Sequence, residues 1–120
     1  MSGFDAILRR MVDSVPGATG AIFADWEGES IGAVANAQPV LEARIAGAQW
    51  GVVWSELVRT FARGHLGRPD ELIIDGARGA ALVRRVSDEY FVVLTVDKDA
   101  QIGRARAELS RGAAQLAAEM

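Results

Sequence analysis

Few residues in this chain can do covalent or acid–base chemistry, and their spacing argues against most of it. There is one histidine, His65, and no cysteine. A thiolate nucleophile, a disulfide and a His/Cys metal site are therefore excluded. His65 follows a long helical pattern, in a loop-like stretch where a solvent-exposed or capping role suits a lone imidazole better than catalysis. Asp97 and Asp99 are the nearest approach to a hard-cation site, and capping the final helix is the better reading of that pair. Asp70-Glu71 and Asp88-Glu89 fall at strand ends, where charge keeps an edge soluble. Ser14, Ser30, Ser55, Ser87 and Ser110 lack the glycine-framed turn that exposes a nucleophile. Gly76-Ala77-Arg78-Gly79 is a glycine-rich tip, but it has no phosphate-loop lysine and leads into a strand rather than a helix. Arg78 could be a transition-state arginine delivered to a partner nucleotidase, although an arginine in a hairpin is ordinarily just solvated. No catalytic residue, metal or cofactor is assigned, and the expectation is a protein that is not an enzyme.

The rest of the composition narrows the class further. The 120 residues have room for one domain, 1–120, and half are apolar, as in a compact fold with one core. The formal net charge is -3, acids and bases are mixed throughout, and no basic run exceeds two residues. That excludes the concentrated basic face of a nucleic-acid binder. The longest apolar runs, such as Tyr90 to Val96, are too short to cross a bilayer. The first residues carry no basic segment followed by an apolar stretch, so no signal peptide is expected. The absence of cysteine fits a cytoplasmic protein.

The elements that must position any site follow from periodicity. Phe4, Ile7, Leu8 and Met11 set a helix over Phe4 to Ser14, with Ser2 and Asp5 resembling a capping box and Val15-Pro16-Gly17 stopping it. Gly20 to Asp25 and Glu29 to Ala35 read as strands joined by the tight turn Asp25-Trp26-Glu27-Gly28. A long helix is predicted from about Pro39 to Arg63, with Gly64 just past its end. Three strands follow, Glu71 to Asp75, Ala80 to Val86 and Tyr90 to Asp97. Their short connections require antiparallel neighbours. Leu72-Ile73-Ile74 and Tyr90-Phe91-Val92-Val93-Leu94 are continuously apolar, as in strands covered on both faces. A final helix is predicted from Asp99, as N-cap, to about Glu119, with Ile102, Ala105, Leu109, Ala113, Leu116 and Met120 on one stripe.

The long helix carries two apolar stripes where a surface helix needs one. At about 100° per residue, Leu41, Ile45, Ala48 and Val52 share one face. Trp50, Trp54, Leu57 and Phe61 share roughly the opposite one, beside Ala43, Gly47 and Gly51. The bulkier Trp50 face is assigned to the sheet, so Leu41, Ile45, Ala48 and Val52 become the expected interface with a second polypeptide. A bend at Gly47 or Gly51 that turns both stripes into one core is the alternative.

The element order, Ser14-Val15-Pro16-Gly17, Asp25-Trp26-Glu27-Gly28, Tyr90-Phe91-Val92-Val93-Leu94 and Ile102-Gly103-Arg104-Ala105-Arg106 together resemble the roadblock/LC7 family, from Phe4 to Glu119. Among its subgroups the chain looks most like the bacterial Mgl-type proteins, which work with a Ras-like polarity GTPase. The resemblance implies an α+β fold of order α-β-β-α-β-β-β-α. Its five-stranded antiparallel sheet has the long helix on one face and the two terminal helices on the other. It also implies homodimerisation through the long helix and a sheet edge, into a continuous ten-stranded sheet. The expected function is a non-catalytic homodimeric scaffold. Its partners would be other roadblock proteins, polarity regulators or a Ras-like GTPase, not nucleic acid or a membrane. The sequence ends with the last helix, without the C-terminal extension by which some relatives grip a GTPase, which favours an adaptor over an activator. The alternatives are a GTPase-activating protein and a sensory module that binds a small ligand between helix and sheet.

Overall fold

The computed structural model describes residues 3–36 and 40–120, apart from the side chains at 40, 41 and 43. Ser2 of the expected capping box, Pro39 at the expected helix start and the side chain of Leu41 lie outside the described residues. The elements run α1 (Gly3–Ser14), β1 (Ala18–Asp25), β2 (Ser30–Ala35), α2 (Val40–Arg63), β3 (Glu71–Asp75), β4 (Gly79–Arg85), β5 (Tyr90–Asp97) and α3 (Ile102–Ala118). The expected order α-β-β-α-β-β-β-α is the observed one.

All five strands lie in one antiparallel sheet of order β2-β1-β5-β4-β3. The two most apolar strands, β1 and β5, are inside it, and Phe91, Val92, Val93 and Leu94 are fully buried. Alternation of side chains across the pleat divides the core in two. Phe23, Leu82, Val92 and Leu94 point to the face covered by α1 and α3, through Leu8, Met11, Leu109 and Leu116. Ile22, Val83, Phe91 and Val93 point to the face covered by α2.

Strand β3 departs from the expectation of cover on both faces. It is an edge strand, and Ile73 and Ile74 are 37% and 42% exposed, on opposite faces of the sheet. A run of apolar residues reads the same in sequence whether a strand is interior or an edge with open flanks.

The turns follow their composition. In the first hairpin the Gly28 amide donates to the Asp25 carbonyl at 2.8 Å, and Gly28 has φ +88°, the left-handed conformation glycine adopts without strain. The Trp26 amide donates to the Glu89 carbonyl at 3.0 Å and ties this tip to the β4–β5 turn.

Candidate protein-interaction surface

Of the chemistry-capable side chains, Ser55 and Asp88 line one hollow beside α2 and His65 lines the next, while Asp97, Asp99 and Arg78 lie elsewhere. Among the described residues no group of three or more His, Cys, Asp or Glu could hold a metal ion. His65 is exposed and serves the backbone. Its amide donates to the Ala62 carbonyl at 3.2 Å and the Leu66 amide to the Phe61 carbonyl at 3.0 Å, the paired bonds of a Schellman cap. His65, with φ +56°, therefore takes the left-handed position that the sequence suggested for Gly64. Asp99 is likewise not the cap of α3. That helix starts at Ile102, and its N-cap, Gln101, makes no side-chain capping bond. The Asp97 carboxylate instead accepts from the Asp99 amide at 3.1 Å, because a short acidic side chain captures the amide two residues on and forms a turn. Arg78 is exposed at the β3–β4 tip, a hairpin braced by Lys98, which reaches Asp75 and the Gly76 carbonyl, each at 3.1 Å.

One ionic cluster perturbs a titration. The Glu71 carboxylate receives two hydrogen bonds from Arg106, both 2.8 Å, and lies 3.8 Å from Arg84. The Arg106 bonds, against opposing desolvation, hold its pKa below the usual carboxylate range. The cluster clamps α3 to the edge strand β3. It is structural.

The surface that remains is built on α2. Trp54 is 4% exposed, with its ring 6.1 Å from that of Phe91, and Trp50, Leu57 and Val58 pack half-buried on the same cluster. Phe61 is half-buried outside that cluster. Val58 was missed from sequence, although its place one helical turn after Trp54 signals it. The helix is continuous from Val40 to Arg63, and with Ile45 and Val52 exposed its two stripes do not meet in one core, as the bent alternative required. Its two internal glycines mark a close crossing with the first hairpin. A Cβ on Gly51 would lie 2.7 Å from Gly28 Cα, and one on Gly47 would lie 3.0 Å from both Ile22 Cγ2 and Ser30 Oγ. This close approach accounts for two residues that each cost about 1 kcal/mol in a helix. Ser55 fastens the same flank by donating from Oγ to the Trp26 carbonyl at 2.9 Å.

Side chains around a helix advance about 100° per residue, so fixing the Gly51 and Ser55 flank on the hairpin turns Val53 and Leu57 toward β4 and β3. Ile45 and Val52, 54% and 68% exposed, point outward, and Val53 is 40% exposed. Ala48 is exposed at its side chain, while its main chain lies against Gly28. On the sheet beside this flank, Leu72 is half-buried and Ile74 exposed. An apolar stretch of this face is therefore left open beside β3. Val53 and Ile74 belong to it and were not singled out in the sequence. The signal was there, in a helical position one step from Val52 and in the unbroken apolar run of β3. Among the described residues no helix is long and apolar enough to cross a membrane.

No protein-family profile and no curated protein matches the chain. Solved structures do. A roadblock/LC7 domain from Streptomyces avermitilis superposes with a TM-score of 0.90 at 14% identity, over 98% of each chain. MglB of Myxococcus xanthus gives 0.90 at 13% identity, over 99% of this chain and 95% of that one. MglC of Myxococcus xanthus gives 0.74 at 22% identity, over 99% and 100%. At these identities what is shared is the fold, and it is the fold that the sequence motifs resembled.

Proposed function

Starting from a fold shared with roadblock/LC7 domains and Mgl proteins, we propose that the chain is a non-catalytic homodimeric adaptor in the regulatory system of a Ras-like GTPase, of the cell-polarity or motility type. The observation that carries this reading is the apolar surface left open on α2 and β3, where Ile45, Val52, Val53 and Ile74 are each at least 40% exposed. Full burial of an exposed side chain of this kind stabilises by roughly 1.5–3 kcal/mol, of which about half is still to be gained here, and exposed apolar area of this extent marks interaction surfaces. A second copy is the occupant proposed for it. The 24 residues of α2 make a rod about 36 Å long, and β3 has a free edge beside it for the partner's β3, which supports a ten-stranded sheet across the dimer. Leu41, Ile45, Ala48 and Val52 are assigned to the interface, now with Val53 and Ile74, while Trp50, Trp54 and Leu57 are assigned to the helix–sheet core and Phe61, outside that cluster, is no longer counted in it.

The test mixes the purified protein with a Ras-like GTPase from the same cells and follows complex formation and phosphate release together. An adaptor co-elutes with the GTPase, or with another roadblock protein bound to it, and leaves hydrolysis at its intrinsic rate. Stimulation of roughly tenfold or more, still far below a full activator's effect, makes the protein an activator and overturns the adaptor reading.

A further inference from the structure

A second surface lies on the opposite flank of α2 from β3. Trp26, at the tip of the first hairpin, is 49% exposed, an unusual position for the largest apolar side chain. With Trp54 and Val58 it walls a cavity of about 250 Å³, whose polar lining is Ser55, Arg59, Arg68 and Asp88. Shallower, more open hollows continue it in both directions, past Gly51 and Glu27 on one side and past Ala62 and His65 on the other. From Gly51 to Ala62 the trough follows α2 for about 17 Å, longer than a small metabolite and close to five residues of extended chain.

The two guanidiniums come from different elements, α2 and the loop after it, and meet at one cavity. Each spends little of its capacity there. Arg59 pairs with Glu56 of its own helix, and Arg68 holds Asp88 through a single contact of 3.4 Å. A guanidinium has five N–H donors in a planar fork suited to a carboxylate. Asp88 is the sole acid lining the central cavity, while Glu56 is bonded to Arg59 beside it and Glu27 lines the hollow toward Gly51. What the two guanidiniums offer beside the aromatic wall is therefore unused N–H donors rather than net charge.

We infer that this trough is a docking site for an extended segment of a partner protein, with a carboxylate side chain held between Arg59 and Arg68 and a neighbouring apolar side chain against Trp26. The inference rests on the adaptor reading and gives it a named surface; the central cavity uses none of the residues assigned to the dimer, and only the hollow past Gly51 borders one of them, Val52.

The test titrates the isotope-labelled full chain with the pentapeptide acetyl-Gly-Leu-Asp-Leu-Gly-amide and with its asparagine counterpart, while light scattering follows the mass of every variant. The aspartyl peptide should shift the Trp26 indole and the amides of Ser55 and Arg68. The asparaginyl peptide should bind roughly tenfold more weakly, the loss of one charge-assisted contact. Arg59→Gln and Arg68→Gln, both at exposed positions, should each weaken the aspartyl peptide to a similar degree. Equal titration by the two peptides, shifts away from Trp26, or no shifts at all would overturn the site. Peptide binding by a protein with the mass of one chain keeps the site and removes the dimer. Doubled mass without selective binding does the reverse.

Discussion

Single residues in this protein serve mainly to fix the backbone. Glu71 is the clearest case, because its partners Arg106 and Arg84 reach it from α3 and β4. The pH dependence follows from the direction of its shift. Its carboxyl is more acidic folded than unfolded, so its contribution is complete above the ordinary carboxylate pKa and disappears as pH falls through the lower folded value. Glu71→Gln should therefore unfold at lower denaturant concentration than the natural chain at neutral pH. The two should converge in strongly acidic buffer. Since Arg106 is exposed and solvent-screened, the gap should be small, and a gap that widens on acidification would show that the clamp does not set the shift. His65 and Asp99 illustrate what a local reading misses at this scale. Their neighbours offered a glycine for the left-handed position and an aspartate for the cap. The chain used histidine for the first and left the second without a side-chain cap.

Among the elements, α2 is the one whose sequence and setting are most closely joined. Gly51 stands against the Gly28 backbone, whereas Gly103 in the first turn of α3 faces open space, with nothing within 4 Å of where a Cβ would sit. The same substitution should then have opposite signs. Gly103→Ala should stabilise by up to about 1 kcal/mol, the helix-propensity difference. Gly51→Ala should destabilise by more than that gain, about 1–3 kcal/mol for overpacking against main chain. Chemical denaturation of the two variants reads both, and stabilisation by Gly51→Ala would mean that α2 does not sit on the hairpin as described. The element order was legible because each periodic run is bounded by its own Gly, Pro or Asp signal. The two stripes of α2 were legible too, and Trp54 and Ile45 lie on opposite sides of the rod. The rotation that turns Val53 toward β3 was not, because a contact with Gly28, more than twenty residues away, sets it. Nor was the edge position of β3, since Leu72-Ile73-Ile74 carries no mark of which neighbour is absent. The Trp26 trough escaped for a similar reason: the turn was read for its backbone, and its tryptophan meets Arg59 and Arg68 only in three dimensions.

The whole molecule presents two differently built flanks on one rod. The β3 side is apolar and sits beside a free strand edge. The hairpin side is aromatic and lined by arginines. On this account the first joins two copies, and the second remains outward for another protein. Substitutions at the two flanks should then separate. Ile45→Asp and Ile74→Asp should split the dimer with the fold intact by circular dichroism, because an aspartate that is solvated in one chain becomes a buried, unpaired charge between two. Arg68→Gln should leave the mass unchanged. The most direct measurement is the mass in solution by sedimentation equilibrium at micromolar concentration, for the natural chain and for Ile45→Asp. The account predicts twice the mass of one chain for the first and a single chain for the second. A natural protein that sediments as a folded single chain at every concentration would contradict it.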